Sequence, residues 1–336
     1  MRRTDTGASP FISVIIPCHQ AAQVLPLQLE ALATQCEAPS FEIVVVDNRS
    51  TDSLAAVVDA FRGTLLAAGA ESVRLIAAPE EAGASYARNV GAAVARSSRL
   101  LFCDADDCVS AWWLSDASAL FDQASVFSGS ALPVPDVDFP SDVAAVRHRI
   151  EPEGKATPEL RPQARTAIPI VMGGNFGIDR ELFYSLGGFD QSLPFAGEDN
   201  DLAARVREAG LPILDSPAMR IAYRTRTDAT AAGRIARRAA STHVLLCVRY
   251  DRIASSPFVG RGRLLRSTVR LGAAAVAMCL RPRRRDPSGL AVRAQGVLGF
   301  WLGTLRHRVL GRIPERRLGI GLQERPEPPL SPGPPA

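Results

Sequence analysis

The run Leu100-Leu101-Phe102-Cys103-Asp104-Ala105-Asp106-Asp107 is where this chain's residue types first suggest chemistry. An apolar stretch of strand type ends in three carboxylates within four residues. Like charges packed so closely repel unless a cation sits among them. Hard oxygen ligands suit Mg²⁺ or Mn²⁺, metals that often arrive with a diphosphate attached. The alternative is a solvated acidic turn after a strand. A second acidic group, Gly197-Glu198-Asp199-Asn200-Asp201, leads into a helical pattern. Asn200 or Asp201 alone reads first as a helix cap. Glu198-Asp199 behind a glycine can instead supply a general base, because glycine lets the backbone approach a ligand closely.

Two further segments carry polar chemistry. Asp47-Asn48-Arg49-Ser50-Thr51-Asp52 follows an apolar run and reads either as an Asx-type turn or as a loop that binds a base and ribose through Asp47. Arg88-Asn89 lies on a helical stretch just ahead of the acidic strand end. Arg88 is there either as a solvated side chain or as a group that approaches a nucleotide.

The elements that must hold these residues alternate in type. Phe11–Pro17, Phe41–Val46, Val73–Ala77 and Arg99–Cys103 read as strands; 22–35, 53–68 and Ala84–Ala95 read as helices. Such alternation predicts a parallel sheet covered by helices, with ligands at the carboxyl ends of the strands. Pro17, Asp47 and Asp104 all fall at such ends. Residues 133–169 are rich in proline and charge and read as a long loop. Beyond it, Gly173-Gly174-Asn175 precedes a helix start at Asp179, and helices are expected over Leu202–Ala209 and 234–253.

Composition bounds the rest. With 336 residues, 46% of them hydrophobic, the chain can hold one large α/β domain and an appendage. The six cysteines form no metal or disulfide spacing and read as reduced thiols of a cytosolic protein. No convincing secretory leader follows Met1-Arg2-Arg3, and no apolar run is long enough to span a membrane. The net charge of +4 hides an asymmetry: residues 261–317 hold fourteen arginines and two acids, so the remainder is acidic. Basic patches seek phosphates.

Taken in order, these pieces resemble the family 2 glycosyltransferases with a GT-A fold. The resemblance rests on Val14-Ile15-Ile16-Pro17, Val45-Val46-Asp47-Asn48-Arg49-Ser50-Thr51-Asp52, Ala87-Arg88-Asn89-Val90-Gly91 and Leu101 to Asp107, with Gly187-Gly188-Phe189-Asp190 and Gly197-Glu198-Asp199-Asn200-Asp201-Leu202. The Gly-Gly-Phe-Asp…Gly-Glu-Asp half also looks like the acceptor-side segment of galactosyltransferase-type enzymes. The resemblance implies an α/β GT-A domain with a mostly parallel central sheet flanked by helices, and a basic helical appendage. It implies that Pro17 and Asp47 line a nucleobase pocket, that Arg88 lies near the base or diphosphate, and that Asp104 contacts the ribose. Asp106, assisted by Asp107, would bind a divalent Mn²⁺ or Mg²⁺ that bridges the diphosphate. Gly174 and Asn175, with Gly173, would border the sugar and acceptor. Asp199 would be the general base, with Glu198 bonded to sugar or acceptor. Where relatives read Val-Asp-Asp-Gly-Ser, this chain has Val46-Asp47-Asn48-Arg49-Ser50, and no histidine stands near Tyr223-Arg224, so Arg224 becomes a candidate to hold phosphate.

The expected organisation is a tail over 1–10, a transferase domain over 11–230, a basic helical appendage over 231–317 and a disordered proline-rich tail over 318–336. In the appendage Leu290, Ala294, Val297, Trp301 and Leu305 form one apolar helical stripe flanked by arginines. It reads as a subdomain packed on the core or as an interfacial helix on an anionic membrane, and the coincidence of charge and apolar surface favours the membrane. No nucleic-acid motif accompanies the basic run. The implied protein is an inverting enzyme at the cytoplasmic membrane face. It would move a sugar from a nucleotide diphosphate to a glycan or lipid-linked acceptor for surface polysaccharide. The alternatives are transfer to a polyprenyl phosphate and a catalytically silent partner subunit that binds nucleotide or glycan.

Overall fold

The computed structural model describes residues 11–151, 154–164, 166–193, 196–280 and 286–323. The expected tail at 1–10, residues 324–336 of the expected tail over 318–336, and the basic run Arg281-Pro282-Arg283-Arg284-Arg285 of the expected appendage lie outside these. The first hundred residues alternate as their pattern requires: β1 (Ile12–Cys18), α1 (Leu25–Ala33), β2 (Phe41–Asp47), α2 (Leu54–Ala67), β3 (Ala70–Ala77), α3 (Ala84–Val94) and β4 (Arg99–Cys103). β1 and β2 are apolar on both faces because helices cover both. Val14, Ile16, Ile43 and Val45 enter one core, and Ile15, Val44 and Val46 the other. On α3, a Cβ at Gly91 would stand 2.5 Å from Ile15 Cγ2, so glycine sets how closely this helix approaches the sheet.

After β4 come β5 (Cys108–Val109), α4 (Trp113–Phe121), β6 (Val126–Pro135), α5 (Val143–Ile150), β7 (Arg161–Pro162), β8 (Asn175–Asp179), α6 (Arg180–Ser185), α7 (Glu198–Glu208) and β9 (Leu214–Thr225). The sheet order is β3-β2-β1-β4-β8-β6-β9-β5, with β7 also on β9. β1 to β4 pair in parallel, and β6 pairs in parallel with β9. The pairs β4–β8, β6–β8, β5–β9 and β7–β9 are antiparallel. The sheet is therefore mixed rather than mostly parallel. The second half lacks the strand–helix alternation that enforces parallel pairing.

Residues 133–169 are not one long loop. They hold the end of β6, a short 3-10 turn, α5 and β7. α5 is short, and its polar positions hide its buried face of Val143, Val146 and Ile150. α7 starts at Glu198, four residues before the expected helix, so Glu198 and Asp199 sit in its first turn.

The appendage is built from α8 (Ala229–Arg249), α9 (Arg263–Leu280) and α10 (Pro287–Gly303). α8 begins before the expected domain boundary at 230 because Asp228 caps it, accepting from Thr230 N and Ala231 N. α10 packs on α8 through buried Gly299 and Gly303; a Cβ at Gly303 would lie 2.9 Å from Ser241 Cα. Of the expected stripe, Trp301 on α10 and Leu305 in the turn that follows it remain exposed. The expectation of disorder from 318 onward fails for its first residues. Leu322 is buried in the core beside α3, Asn89 Nδ2 donates to Ile320 O at 2.8 Å, and Gly319 N donates to Gly187 O at 2.8 Å. The segment docks through the Leu322 side chain and through backbone carbonyl and N–H groups, and composition does not reveal the backbone part.

Candidate active site

A cleft of about 690 Å³ opens at the carboxyl ends of β1 and β4. Pro17, His19 and Gln20 wall it on one side, Arg88, Asp104 and Asp106 floor it, and Arg224, Arg226, Asp228 and Arg234 close the other side. The loops after β1 and β2 are stitched together: Gln20 N donates to Ser50 Oγ at 3.1 Å and Ala22 N to Asp52 Oδ2 at 2.8 Å.

Arg88 links the two acidic groups that the sequence singles out. Its Nη2 donates to Asp104 Oδ1 at 2.7 Å and its Nη1 to Glu198 Oε1 at 3.2 Å. The guanidinium is buried, and these carboxylates hold it charged well above its ordinary range against the cost of burial. Phe189 supports it from below, with Cζ 5.5 Å from the ring centroid. That ring belongs to an aromatic cluster with Phe102, Phe176 and Phe183. Burial, reinforced by the neighbouring Asp199, pushes Glu198 up to about 7 despite Arg88. Asp199 is also raised by burial, while Asn200 N and Gly173 N, at 2.7 and 3.3 Å, donate to its two oxygens. Gly173 and Gly174 lie between the two acidic groups. A Cβ on Gly174 would stand 2.5 Å from Asp104 Oδ2, and one on Gly173 3.4 Å from both Arg88 and Asp199.

The Asp104–Asp107 turn divides its labour. Asp106 faces the cleft, and burial followed by the Asp104 charge raises its carboxyl. Asp107 is buried and turned toward β9, where its Oδ1 accepts from Arg224 N at 3.0 Å. Asp107 is thus engaged with β9 through Oδ1 and is not among the residues lining the cleft, while its Oδ2 is buried without a hydrogen-bond partner. Arg224 also donates from Nε to Asp106 O at 2.9 Å and stacks on Phe139, 3.8 Å from the centroid. Among the described residues no group of three acids, histidines or cysteines could hold a metal by itself. The donor set fits a cation held by one carboxylate, that of Asp106, with its remaining sites filled by phosphate oxygens and water.

Other expected site residues are engaged elsewhere. Asn175 is fully buried: Trp113 Nε1 donates to its Oδ1 at 2.8 Å, and its Nδ2 donates to Ser130 O and Met219 O. Both amide hydrogens are occupied by the sheet, so this side chain is a strut and not a donor contact. Asp47 folds back to accept from Ser50 N at 2.8 Å, the Asx-turn alternative, and does not line the cleft. Asp190 is buried and accepts from Arg249 Nη1 at 2.8 Å and Arg317 N at 2.9 Å, which ties the appendage to the α/β body. The substitutions at Asn48 and Arg49 also have a structural use. Asn48 Nδ2 donates to Ala78 O and Glu81 O, and its Oδ1 accepts from Gly83 N. Arg49 adopts φ 65°, the left-handed conformation that a glycine would favour, and donates to Pro79 O and Glu80 O.

Sequence reasoning missed His19, Gln20, Arg226, Asp228 and Arg234 as cleft residues. The signal available was the Arg224-Thr225-Arg226-Thr227-Asp228 turn, basic and then capping, at the start of α8.

The family model for glycosyl transferase family 2 matches residues 13–187. N-acetylgalactosaminyltransferase 6 of Drosophila melanogaster is 28% identical over 234 residues, 64% of this chain and 34% of that protein. An uncharacterized protein of Sinorhizobium fredii is 28% identical over 214 residues, 60% of this chain and 23% of that protein. The chain thus matches only about a quarter to a third of the length of these curated relatives. A mannosyltransferase structure from Pyrobaculum calidifontis, in complex with GDP-Man and Mn²⁺, superposes with a TM-score of 0.59 at 18% identity and covers 91% of this chain and 88% of that one. That likeness identifies the fold as GT-A.

Proposed function

The chain belongs to glycosyl transferase family 2, and we propose that it is an inverting transferase that moves a sugar from a nucleotide diphosphate to a glycan or lipid-linked acceptor. The observation that carries this reading is the Arg88 bridge. It sets a carboxylate site at the end of β4 beside a second carboxylate site at the start of α7, with only Gly173 and Gly174 between them. A single displacement with inversion needs those two sites, one for the leaving diphosphate and one for a base on the opposite face.

Pro17, His19 and Gln20 offer a wall for the nucleobase, and Asp104 reaches the ribose. Asp106 would hold a divalent Mn²⁺ or Mg²⁺, and the Pyrobaculum complex contains Mn²⁺; when bound the cation would neutralise the departing diphosphate. Arg224, Arg226 and Arg234 add positive charge on the same side of the cleft. Asp199, oriented by two backbone N–H groups, accepts the acceptor's proton. Glu198 is committed to Arg88 and holds the sugar or acceptor in place. The appendage places exposed Leu265, Val269, Val276 and Leu280 of α9 beside basic residues, which supports peripheral attachment to an anionic membrane surface. No helix among the described residues is long and apolar enough to cross one. A role in surface polysaccharide synthesis fits such a site.

Calorimetric titration with UDP, GDP and dTDP, each with and without Mn²⁺, tests the donor site. Metal-dependent binding of one nucleotide, lost in Asp106→Ala, is expected. Absence of binding to any of them would overturn the reading in favour of a silent partner subunit.

A further inference from the structure

The appendage contains a second concavity that the proposed reaction leaves without a role. A groove of about 590 Å³ runs between α8, the end of α10 and the segment after it. Arg237, Arg238, Arg306 and Arg312 line it together with Ser241, Leu302, Leu305 and Leu310. No acidic residue lines it, and among the described residues no ion pair is found for Arg237, Arg306 and Arg312. Three guanidinium groups without counter-charge repel one another, and an anion relieves that repulsion. Free phosphate has no use for a leucine wall, and an uncharged lipid has none for the arginines. An anionic amphiphile uses both.

Charge selects further within that class. The phosphodiester of a bulk phospholipid carries one negative charge, whereas a terminal phosphate monoester carries close to two. A diphosphate carries more still. Three arginines match the terminal group better. The surroundings supply an entry and an exit. On the entry side, α9 lies against α10, where Trp301 Nε1 donates to Thr268 Oγ1 at 3.0 Å, and it exposes Leu265, Val269, Val276 and Leu280. On the exit side a smaller cavity shares Arg238, Ser241 and Arg306 with the groove and reaches Ala196. Ala196 immediately precedes Gly197, which caps the helix that carries Glu198 and Asp199.

We propose that this groove binds the terminal phosphate or diphosphate of a long-chain membrane lipid, with the tail on Leu302, Leu305 and Leu310 and the anionic group on Arg237, Arg306 and Arg312. The inference deepens the proposed function by naming the acceptor's carrier, and it rests on that reading for the acceptor's role alone.

The test is flotation of the full chain with three vesicle types. These are phosphatidylcholine alone, phosphatidylcholine with phosphatidylglycerol, and phosphatidylcholine with undecaprenyl phosphate at the same total charge. The polyprenyl phosphate vesicles are expected to bind about tenfold tighter than the phosphatidylglycerol vesicles, and the double variant R306Q/R312Q is expected to lose that preference. Equal binding to both anionic vesicles, or a preference that survives in the variant, would overturn the proposal. Should the variant not fold, a photoactivatable polyprenyl phosphate on the unmodified chain decides. Labelling within 302–312 supports the groove; labelling confined to α9 overturns it. Nucleotide titration of Asp106→Ala involves no lipid, so failure of the donor reading and failure of this one are separately visible.

Discussion

Arg88 Nη1 donates to Glu198 Oε1 at 3.2 Å across a sequence separation of 110 residues, and the other arm of the same guanidinium holds Asp104. One buried cation thus sets both the carboxylate at the donor side and the first turn of the helix bearing the proposed base. Burial works against the charged form of Glu198 and Arg88 works for it, so Glu198 rests at about 7 rather than at the ordinary carboxylate value.

The first prediction concerns pH. Glu198 and Asp199 adjoin and titrate as a pair. Both are raised, so the active, deprotonated pair forms only as pH climbs above the ordinary carboxylate range. Activity should therefore rise with pH on the acidic side. Arg88→Gln removes the cation that lowers both groups, so this limb should move to higher pH. The same shifts act on stability. Between about pH 4.5 and 7 the folded chain holds protons that the unfolded chain has released, so stability from this pair falls as pH rises through that window. A kcat/KM profile of wild type and R88Q checks the direction; an unmoved or lowered limb would contradict it.

The two acids of the first turn of α7 should separate by role. Asp199→Asn removes the proposed base while keeping an acceptor oxygen for one of the two N–H donors, Asn200 at Oδ1 or Gly173 at Oδ2. Its turnover should fall by about a thousandfold, within the range of lost general-base catalysis. Glu198→Gln should cost less in kcat and more in KM, because Glu198 is held by Arg88 and acts on position. Single-turnover rates for both variants decide. A larger kcat loss in E198Q would exchange the two roles.

How far the sequence reveals this site depends on what each residue touches. Arg88, Asp104 and Asp106 were legible because strand ends and clustered charge are local signals. Asp107 and Asn175 stand in the same motifs but turn inward. Which way they face depends on strands paired from far along the chain, β9 on β5 beside Asp107 and β6 on β8 at Asn175, and both pairings are antiparallel additions that local pattern does not encode. Asp190 was legible as part of a motif, while its partners Arg249 and Arg317 come from the distant appendage. Arg226 and Arg234 lie on a turn and a helix whose direction is fixed only when α8 docks.

Asn175→Ala should act on stability. It strands the Trp113 indole N–H and withdraws a donor from the carbonyls of Ser130 and Met219, all at the centre of the sheet. Each buried unsatisfied group costs roughly 1–3 kcal/mol, so a loss of about 3 kcal/mol is expected. Urea unfolding should show it, and nucleotide affinity of the remaining folded protein should stay near that of wild type. A stable variant that no longer binds nucleotide would return Asn175 to the donor site.

Two glycines test the division between scaffold and site by one and the same substitution. At Gly91 a new methyl would stand 2.5 Å from Ile15 Cγ2 and 3.0 Å from Val46 Cγ2, in the packed layer between α3 and the sheet. Alanine gains about 1 kcal/mol in helix propensity, and forcing a methylene into a tight core costs about 1–3 kcal/mol. The balance predicts a modestly destabilised protein with unchanged nucleotide affinity. At Gly174 the methyl would stand 2.5 Å from Asp104 Oδ2, an oxygen at the end of a side chain already bonded to Arg88. Asp104 can yield there only by leaving Arg88 or the ribose position. Gly174→Ala should therefore weaken nucleotide binding about tenfold or more, the scale of one lost charge-assisted hydrogen bond, while the unfolding midpoint moves little. Calorimetry and thermal unfolding on both variants read the contrast. A Gly174→Ala protein that binds nucleotide as wild type does would detach Asp104 from donor binding.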